Sequence, residues 1–329
     1  MRAIPSALRS CIESDVAGAA DDLFLSGGRF DEQEVAVERL ATGATNQGYR
    51  VVGRSEWFLK VYREPVAGIG RESEICQELL GCPLVPEFGG ALVAVRGGRH
   101  VGRGMIQQWV QAESLWDGLV SGAERAMKQF DWRGLGIALR RLHAALSSSR
   151  GGVGACETSV NSWDLGLTIR EAANSPSVGD AERATLQRWA GTAEGLSCSD
   201  VPMDECGVIH ADMHLGQVLR SLDGTLQFID FEGEPHVRRG DGRPQRESRL
   251  RDVAGMLRSI GYLRDVVCGD SVADTEGRAF LDGYFGGLME RGTEERLRFF
   301  SVQRAFREWC YERAYRPEWV QRPLRVPTF

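Results

Sequence analysis

Val208 to Pro235 reads VIHADMHLGQVLRSLDGTLQFIDFEGEP and sets two histidines and five carboxylates around a predicted β-hairpin. Asp223-Gly224 makes the turn, because both central residues of a tight hairpin turn take positive φ and Asp-Gly tolerates it. Val218 to Leu222 and Thr225 to Asp230 supply the strands. A hairpin brings its outer ends together. Asp212 and Gln217 lie just before the first strand and Asp230 closes the second, so their oxygens can converge where a cation would sit.

Upstream, Ala41 to Gly48 (ATGATNQG) is a small polar turn between predicted strands, and a further strand follows at Trp57 to Tyr62. Alternation puts Trp57, Leu59 and Val61 on one face and Phe58, Lys60 and Tyr62 on the other. A glycine turn carrying Thr45 and Asn46, followed by a strand with a central lysine, is how a kinase-type small lobe covers nucleotide phosphates. A surface hairpin and a solvated lysine would look the same in isolation. Arg71 to Leu80 turns helical, and Glu72, Glu74 and Glu78 are each possible partners of Lys60. Met105 to Val110 is a strand running into a polar connector, where backbone groups of Gln108 and Val110 would meet a nucleobase. Leu135, Leu139, Leu142 and Leu146 then mark an amphipathic helix with His143 beside its stripe, read as a core histidine.

The whole chain, 329 residues with 42% hydrophobic and 26% charged, is long enough for two lobes. Forty basic against 46 acidic residues leave a net charge of -6, which disfavours nucleic acid as a partner. No window approaches the ~18 uninterrupted apolar residues of a membrane span. The eight cysteines form no CxxC pair and read as reduced thiols of a cytoplasmic protein.

HADMHLGQVL and IDFEGEP, together with SRLRDVAGMLRS at 248–259 and YERAYRPEW at 311–319, resemble the kinase-like phosphotransferases related to aminoglycoside phosphotransferases. The likeness is greatest to their maltokinase and glucosamine kinase branch and strongest over 205–329. It implies an α+β, two-lobed protein kinase-like fold, with a small β-rich N-lobe and a larger, mainly helical C-lobe. Residues 1–30 would be an N-terminal extension, 31–111 the N-lobe and 112–329 the C-lobe, with the branch's N-terminal cap reduced. ATP and Mg2+ are the implied cofactors and a sugar or amino sugar hydroxyl the acceptor; no protein partner is implied. Carried over by position, Asp212 is the catalytic base and Lys60 holds nucleotide phosphates. Glu74 orients Lys60, while Gln217 and Asp230 bind magnesium. Ala211 stands where the branch usually has glycine, and the small cap favours a glucosamine-like acceptor over maltose.

Glu232, Glu234, Tyr311, Glu312 and Trp319 are candidates for acceptor recognition, since carboxylates bind hydroxyls and ammonium groups and Trp319 can pack on a sugar face. Anchoring of the last helix is the other reading of Glu312 and Trp319. Asp252 is expected to brace the catalytic loop through backbone hydrogen bonds, and His214 to be structural. Three alternatives remain open: an aminoglycoside-type antibiotic phosphotransferase, a metal-dependent hydrolase using His210, Asp212 and His214, and a non-catalytic kinase-like binding protein.

Overall fold

The computed structural model describes residues 2–15, 23–41, 46–149, 156, 162–195, 201–234, 246–269 and 274–328. In chain order, α1 (Ser6–Asp15) leads into β1 (Phe24–Ser26), β2 (Ala36–Arg39), β3 (Gln47–Val52) and β4 (Glu56–Ala67). Helix α2 (Arg71–Glu78) precedes β5 (Phe88–Arg96) and β6 (Arg99–Gln108). After β7 (Ala112–Ser114) come α3 (Leu115–Ser121), α4 (Ala123–Gln129), α5 (Trp132–Ser149), α6 (Ser162–Ala173) and α7 (Asp180–Gly195). Then follow β8 (Cys206–Val208), a 3-10 turn (Leu215–Gln217), β9 (Val218–Ser221), β10 (Leu226–Phe228) and β11 (Arg246–Ser248). Helices α8 (Leu250–Cys268), α9 (Asp274–Phe285) and α10 (Arg291–Tyr315), a second 3-10 turn (Pro317–Trp319) and α11 (Arg322–Arg325) complete the chain.

Two compact units emerge. The first joins residues 1–112 to 221–244, and the second joins 113–220 to 245–329. The first is built on a six-stranded sheet of order β1-β5-β6-β4-β3-β2, antiparallel at every pairing from β3 to β6. The alternation expected in β4 holds. Trp57, Leu59 and Val61 are buried in one core with Leu8 and Ile12 of α1, Tyr49 and Val51 of β3, and Ile106 of β6. Lys60 falls on the opposite face, and its side chain is 12% exposed.

Residues 1–30, expected as an extension, are instead part of this unit. β1 pairs with β5 through Leu25↔Leu92, and the apolar stripe Ile4, Leu8, Ile12 completes the core. An amphipathic helix buries its stripe wherever the sheet leaves an uncovered apolar face. Residues 221–244, assigned to the C-lobe from the sequence, also group with the first unit. Phe228 N–H donates to Leu84 C=O at 2.8 Å, and Arg71 donates to Phe231 C=O, so β10 and the following turn are held by the segments around α2.

The second unit is helical. Leu135, Leu139, Leu142 and Leu146 of α5 are all at most 1% exposed, as their spacing predicts. α6, α7 and α10 share a separate core containing Ile169, Leu186, Trp189, Val302 and Trp309. β8 pairs with β11 in register Glu247↔Gly207.

Cys156 and Cys206 form a disulfide across a separation of 50 residues, which corrects the expectation of eight reduced thiols. Nothing in that spacing marks the pair; folding brings Cys156 to Cys206 of β8. Among the described residues no helix is long and apolar enough to cross a membrane.

Candidate active site

In the first unit Lys60 is the centre of a carboxylate cluster. Its ammonium lies 3.0 Å from Glu72, 2.5 Å from Asp230 and 2.6 Å from Glu232. Asn46 reaches the same group, donating to Glu232 at 2.6 Å and accepting from the Arg63 N–H at 3.2 Å. Sheet alternation aims Lys60 away from the apolar core, α2 delivers Glu72, and the Arg71 bond to Phe231 C=O fixes the turn that carries Asp230 and Glu232. Asp230 has φ +67°, a left-handed conformation that a residue with a side chain adopts at a cost of about 1–3 kcal/mol when its surroundings enforce it.

Burial alone would lower the pKa of Lys60, but Glu72, Asp230 and Glu232 outweigh it and hold the ammonium well above its ordinary value. Burial pushes the Glu72 carboxyl up to about 7 against the pull of Lys60, with Asp230 and Glu232 adding to the rise. Among the described residues, three carboxylates lie within reach of this one ammonium. Ligand oxygens of Glu72, Asp230 and Glu232 lie within 4.8 Å of one another, the donor set a hard divalent cation takes.

In the second unit the loop after β8 is held by α8. Asp252 accepts from the backbone N–H of His210 at 2.7 Å and of Ala211 at 2.9 Å, and its carboxylate also meets His143 Nε2 at 2.9 Å. One turn on, a methyl added at Gly255 would meet Met213 C=O at 2.5 Å, so glycine lets the helix approach the loop backbone. A turn beyond, Ser259 Oγ accepts from Leu215 N–H at 3.0 Å. Residues 252, 255 and 259 recur on one helix face, which explains why this stretch of α8 carries small and polar residues. Asp252 thus braces the loop as expected, and His143 is the buried core histidine, its other nitrogen 2.7 Å from Tyr284 Oη.

The braced loop presents Asp212. Arg304 of α10 donates to its Oδ1 at 2.8 Å. Burial works to raise the Asp212 pKa, but the Arg304 charge, aided by His214, the Arg304 hydrogen bond and His210, brings it below the ordinary value. Asp212 is therefore an ionised carboxylate at neutral pH, able to accept a hydrogen bond from a hydroxyl. Gln217 closes the 3-10 turn after it, donating its N–H to His214 C=O at 2.9 Å.

Among the residues singled out from the sequence, Asn46, Lys60, Asp230 and Glu232 come together in the first unit. Glu74 does not join them. Lys60 pairs with Glu72, two residues earlier and about 200° around the helix, so the carried-over role of Glu74 is corrected. Spacing left 72, 74 and 78 equal; only the direction of α2 separates them. The backbone N–H of Gln108 donates to Glu87 C=O at 2.8 Å and is not free for a nucleobase, and Val110 C=O accepts from Ala112 N–H at 3.0 Å. Thr45 lies outside the described residues. Glu234 is half-buried at the end of the turn.

In the second unit Tyr311 is exposed and its ring lies tilted against Tyr315, with ring centroids 5.0 Å apart. Trp319 has the guanidinium groups of Arg316 and Arg322 over its ring at 5.2 and 4.3 Å, in the place a sugar would take. Glu312 is 3% exposed; one oxygen accepts from Arg316 at 2.6 Å, while Oε2 is buried with no hydrogen-bond partner among the described residues. The Tyr262 hydroxyl is likewise buried and without one. The hydrolase reading fares poorly: His210 Nδ1 and His214 Nδ1 already accept backbone N–H groups of Asp212 and Gly216. Arg304 and Arg71 carried no motif signal, being arginines in an arginine-rich chain.

Residues 36–233 match the phosphotransferase enzyme family. A glucosamine kinase of Mycolicibacterium smegmatis (strain ATCC 700084 / mc(2)155) is 30% identical over 128 residues. That match covers 35% of this chain and 32% of the relative, so the chain spans about a third of that relative's length. A glucosamine kinase solved with glucosamine, ADP and inorganic phosphate is similar in structure, with TM-score 0.67 and 22% identity over 98% of this chain and 83% of that one. The GDP and kanamycin complex of APH(2")-IIia gives TM-score 0.52 and 15% identity, over 88% and 90% of the two chains. The expected α+β kinase-like fold, a β-sheet unit and a helical unit, is the one these structures share.

Proposed function

The chain belongs to the phosphotransferase enzyme family, and from that premise we propose that it transfers the γ-phosphate of ATP to a hydroxyl of an amino sugar, with glucosamine favoured over maltose. Asp212 accepts the acceptor's hydroxyl proton and orients its oxygen for in-line attack. Lys60, oriented by Glu72, neutralises nucleotide phosphate. Asp230, with Gln217, would hold Mg2+, which supplies charge neutralisation to the phosphates when bound.

The observation that carries the acceptor class is Glu312. A buried carboxylate oxygen without a donor costs about 1–3 kcal/mol or more, and an ammonium group removes that cost better than any neutral donor. Glu312 follows Arg304, the partner of Asp212, by two i→i+4 steps, about 12 Å along one face of α10. An acceptor with its reacting hydroxyl at Asp212 and a cationic or hydroxyl-bearing end towards Glu312 fits that spacing. The solved complex of a similar protein with glucosamine supports the reading. An aminoglycoside, which also carries ammonium groups, is the second reading, supported by the likeness to the kanamycin complex.

The test is ADP release with ATP and Mg2+ across monosaccharides, amino sugars, disaccharides, cyclitols and aminoglycosides, with the product position fixed by NMR. Turnover is expected with amino sugars, and Glu312→Gln should raise their KM far more than that of neutral sugars. Absence of ADP release with every acceptor would overturn the proposal.

A further inference from the structure

The pairing of Asp212 with Arg304 continues through the helical unit. Arg304 donates from Nη1 to Asp212 Oδ1 at 2.8 Å and from Nε to Glu308 Oε1 at 3.2 Å, so one planar guanidinium bridges two carboxylates. Glu308 Oε2 in turn accepts from Arg258 Nε at 3.0 Å and Nη2 at 2.7 Å. Arg258, on α8, is 1% exposed and is held from its far side by backbone. It donates to Val326 C=O at 2.5 Å, Pro327 C=O at 3.3 Å and Pro323 C=O at 2.9 Å.

Every link is a charge-assisted hydrogen bond with little exposure. Side chains of Asp212 and Arg304 are 17% and 20% exposed, and those of Glu308 and Arg258 are 14% and 1% exposed. Pairs this sheltered are screened far less than surface pairs. A fold that needed only to anchor its last segment would stop at Arg258 and Glu308. The chain of charges instead extends one residue further and ends on the loop carboxylate.

We infer that Arg304 is a positioning residue for phosphoryl transfer, fixing one oxygen of Asp212 so that the other faces the acceptor, and that Glu308, Arg258 and the 323–327 segment form its rigid backing. The inference rests on the reading of Asp212 as the base. Two consequences follow from the geometry. Arg304 keeps Asp212 ionised, and it limits the rotation of the carboxylate, which is where precise placement gains rate. Lysine would supply the charge but not the planar fork that spans Asp212 and Glu308.

Besides Arg304 from α10, the titratable groups that act most on Asp212 among the described residues are His214 and His210 of its own loop. Asp252 of α8 is turned to the backbone of that loop.

The experiment follows the Asp212 carboxyl by 13C NMR in protein labelled at aspartate Cγ, the resonance assigned by its loss in Asp212→Asn. In Arg304→Gln the titration midpoint should rise by about one pH unit or more, as loss of an adjacent opposite charge requires. Its kcat for ADP release with glucosamine should fall roughly tenfold or more while the nucleotide KM holds. Arg304→Lys should keep the midpoint low yet recover only part of kcat. An unmoved midpoint in Arg304→Gln, or wild-type kcat in Arg304→Lys, overturns the inference. If Arg304→Gln does not fold, Arg304→Lys still decides it. Normal turnover in Asp212→Asn would instead remove the reading of Asp212 as base, whatever the midpoint does.

Discussion

The Lys60 cluster and the Asp212 loop are both buried groups of charge, yet they are balanced in opposite ways. Around Lys60 one ammonium meets Glu72, Asp230 and Glu232, and burial, with the charges of Asp230 and Glu232 adding to it, pushes up the Glu72 carboxyl. Around Asp212 each carboxylate has its own partners. Asp212 has Arg304, Glu308 has Arg304 and Arg258, and Asp252 has two backbone N–H groups and His143. A balanced network holds a carboxylate ionised and still. A cluster with more carboxylates than ammonium groups is one whose electrostatics a bound cation would ease.

The contrast breaks at its most sensitive point if Asp212→Asn turns over normally. The expected loss is about 10²-fold or more, as for a general base, with nucleotide binding intact by calorimetry. Glu72→Gln tests the other region: kcat should fall roughly tenfold because the lysine–glutamate pair must be in place, while Glu74→Gln stays within about twofold. Equal losses in the two would restore the pairing carried over by position.

Protonation sharpens the comparison further. Glu72 has a folded pKa of about 7, above its ordinary value. The folded form therefore holds a proton that the unfolded chain releases, and this stabilising contribution is complete below the unfolded pKa and lost as pH rises through about 7. Thermal melting from pH 5 to 8 should show stability falling more steeply in wild type than in Glu72→Gln, and Mg2+ with nucleotide should flatten the wild-type slope. Asp212 has the opposite sign, since its lowered pKa gives stability that is present above the unfolded value and lost only in acid.

The smallest effect lies in the loop itself. Ala211 has φ +73° and is buried, a conformation in which a Cβ costs roughly 1–2 kcal/mol. Ala211→Gly should raise the melting temperature slightly, the gain limited by the greater freedom of glycine in the unfolded chain. An unchanged or lower melting temperature would show that the loop tolerates alanine without strain.

Much of this architecture was legible in residue order. The β4 alternation placed Lys60 opposite Leu59 and the leucine stripe of α5 announced a buried face; the chain does turn at Asp223-Gly224, but through a longer connection between Ser221 and Leu226 in which only Gly224, at φ +87°, has positive φ. The LRDVAGMLRS stretch placed Asp252 where it braces the loop that carries Asp212. These features are local or periodic, and period and turn chemistry are written along the chain. The first thirty residues carry only the short Ile4, Leu8, Ile12 spacing, and it is the sheet they cover that gives their helix and strand a place.

What the sequence by itself determined was the family, the fold class and the carboxylate expected to meet the acceptor. Only the tertiary structure decided that Glu72 rather than Glu74 pairs with Lys60, that Cys156 meets Cys206, that Arg304 holds Asp212 across 92 residues of sequence, and that one oxygen of Glu312 is buried without a partner. The physical reason is common to all four. Each depends on the direction in which a helix or loop presents a side chain to a distant segment, and spacing along one chain carries no information about that direction.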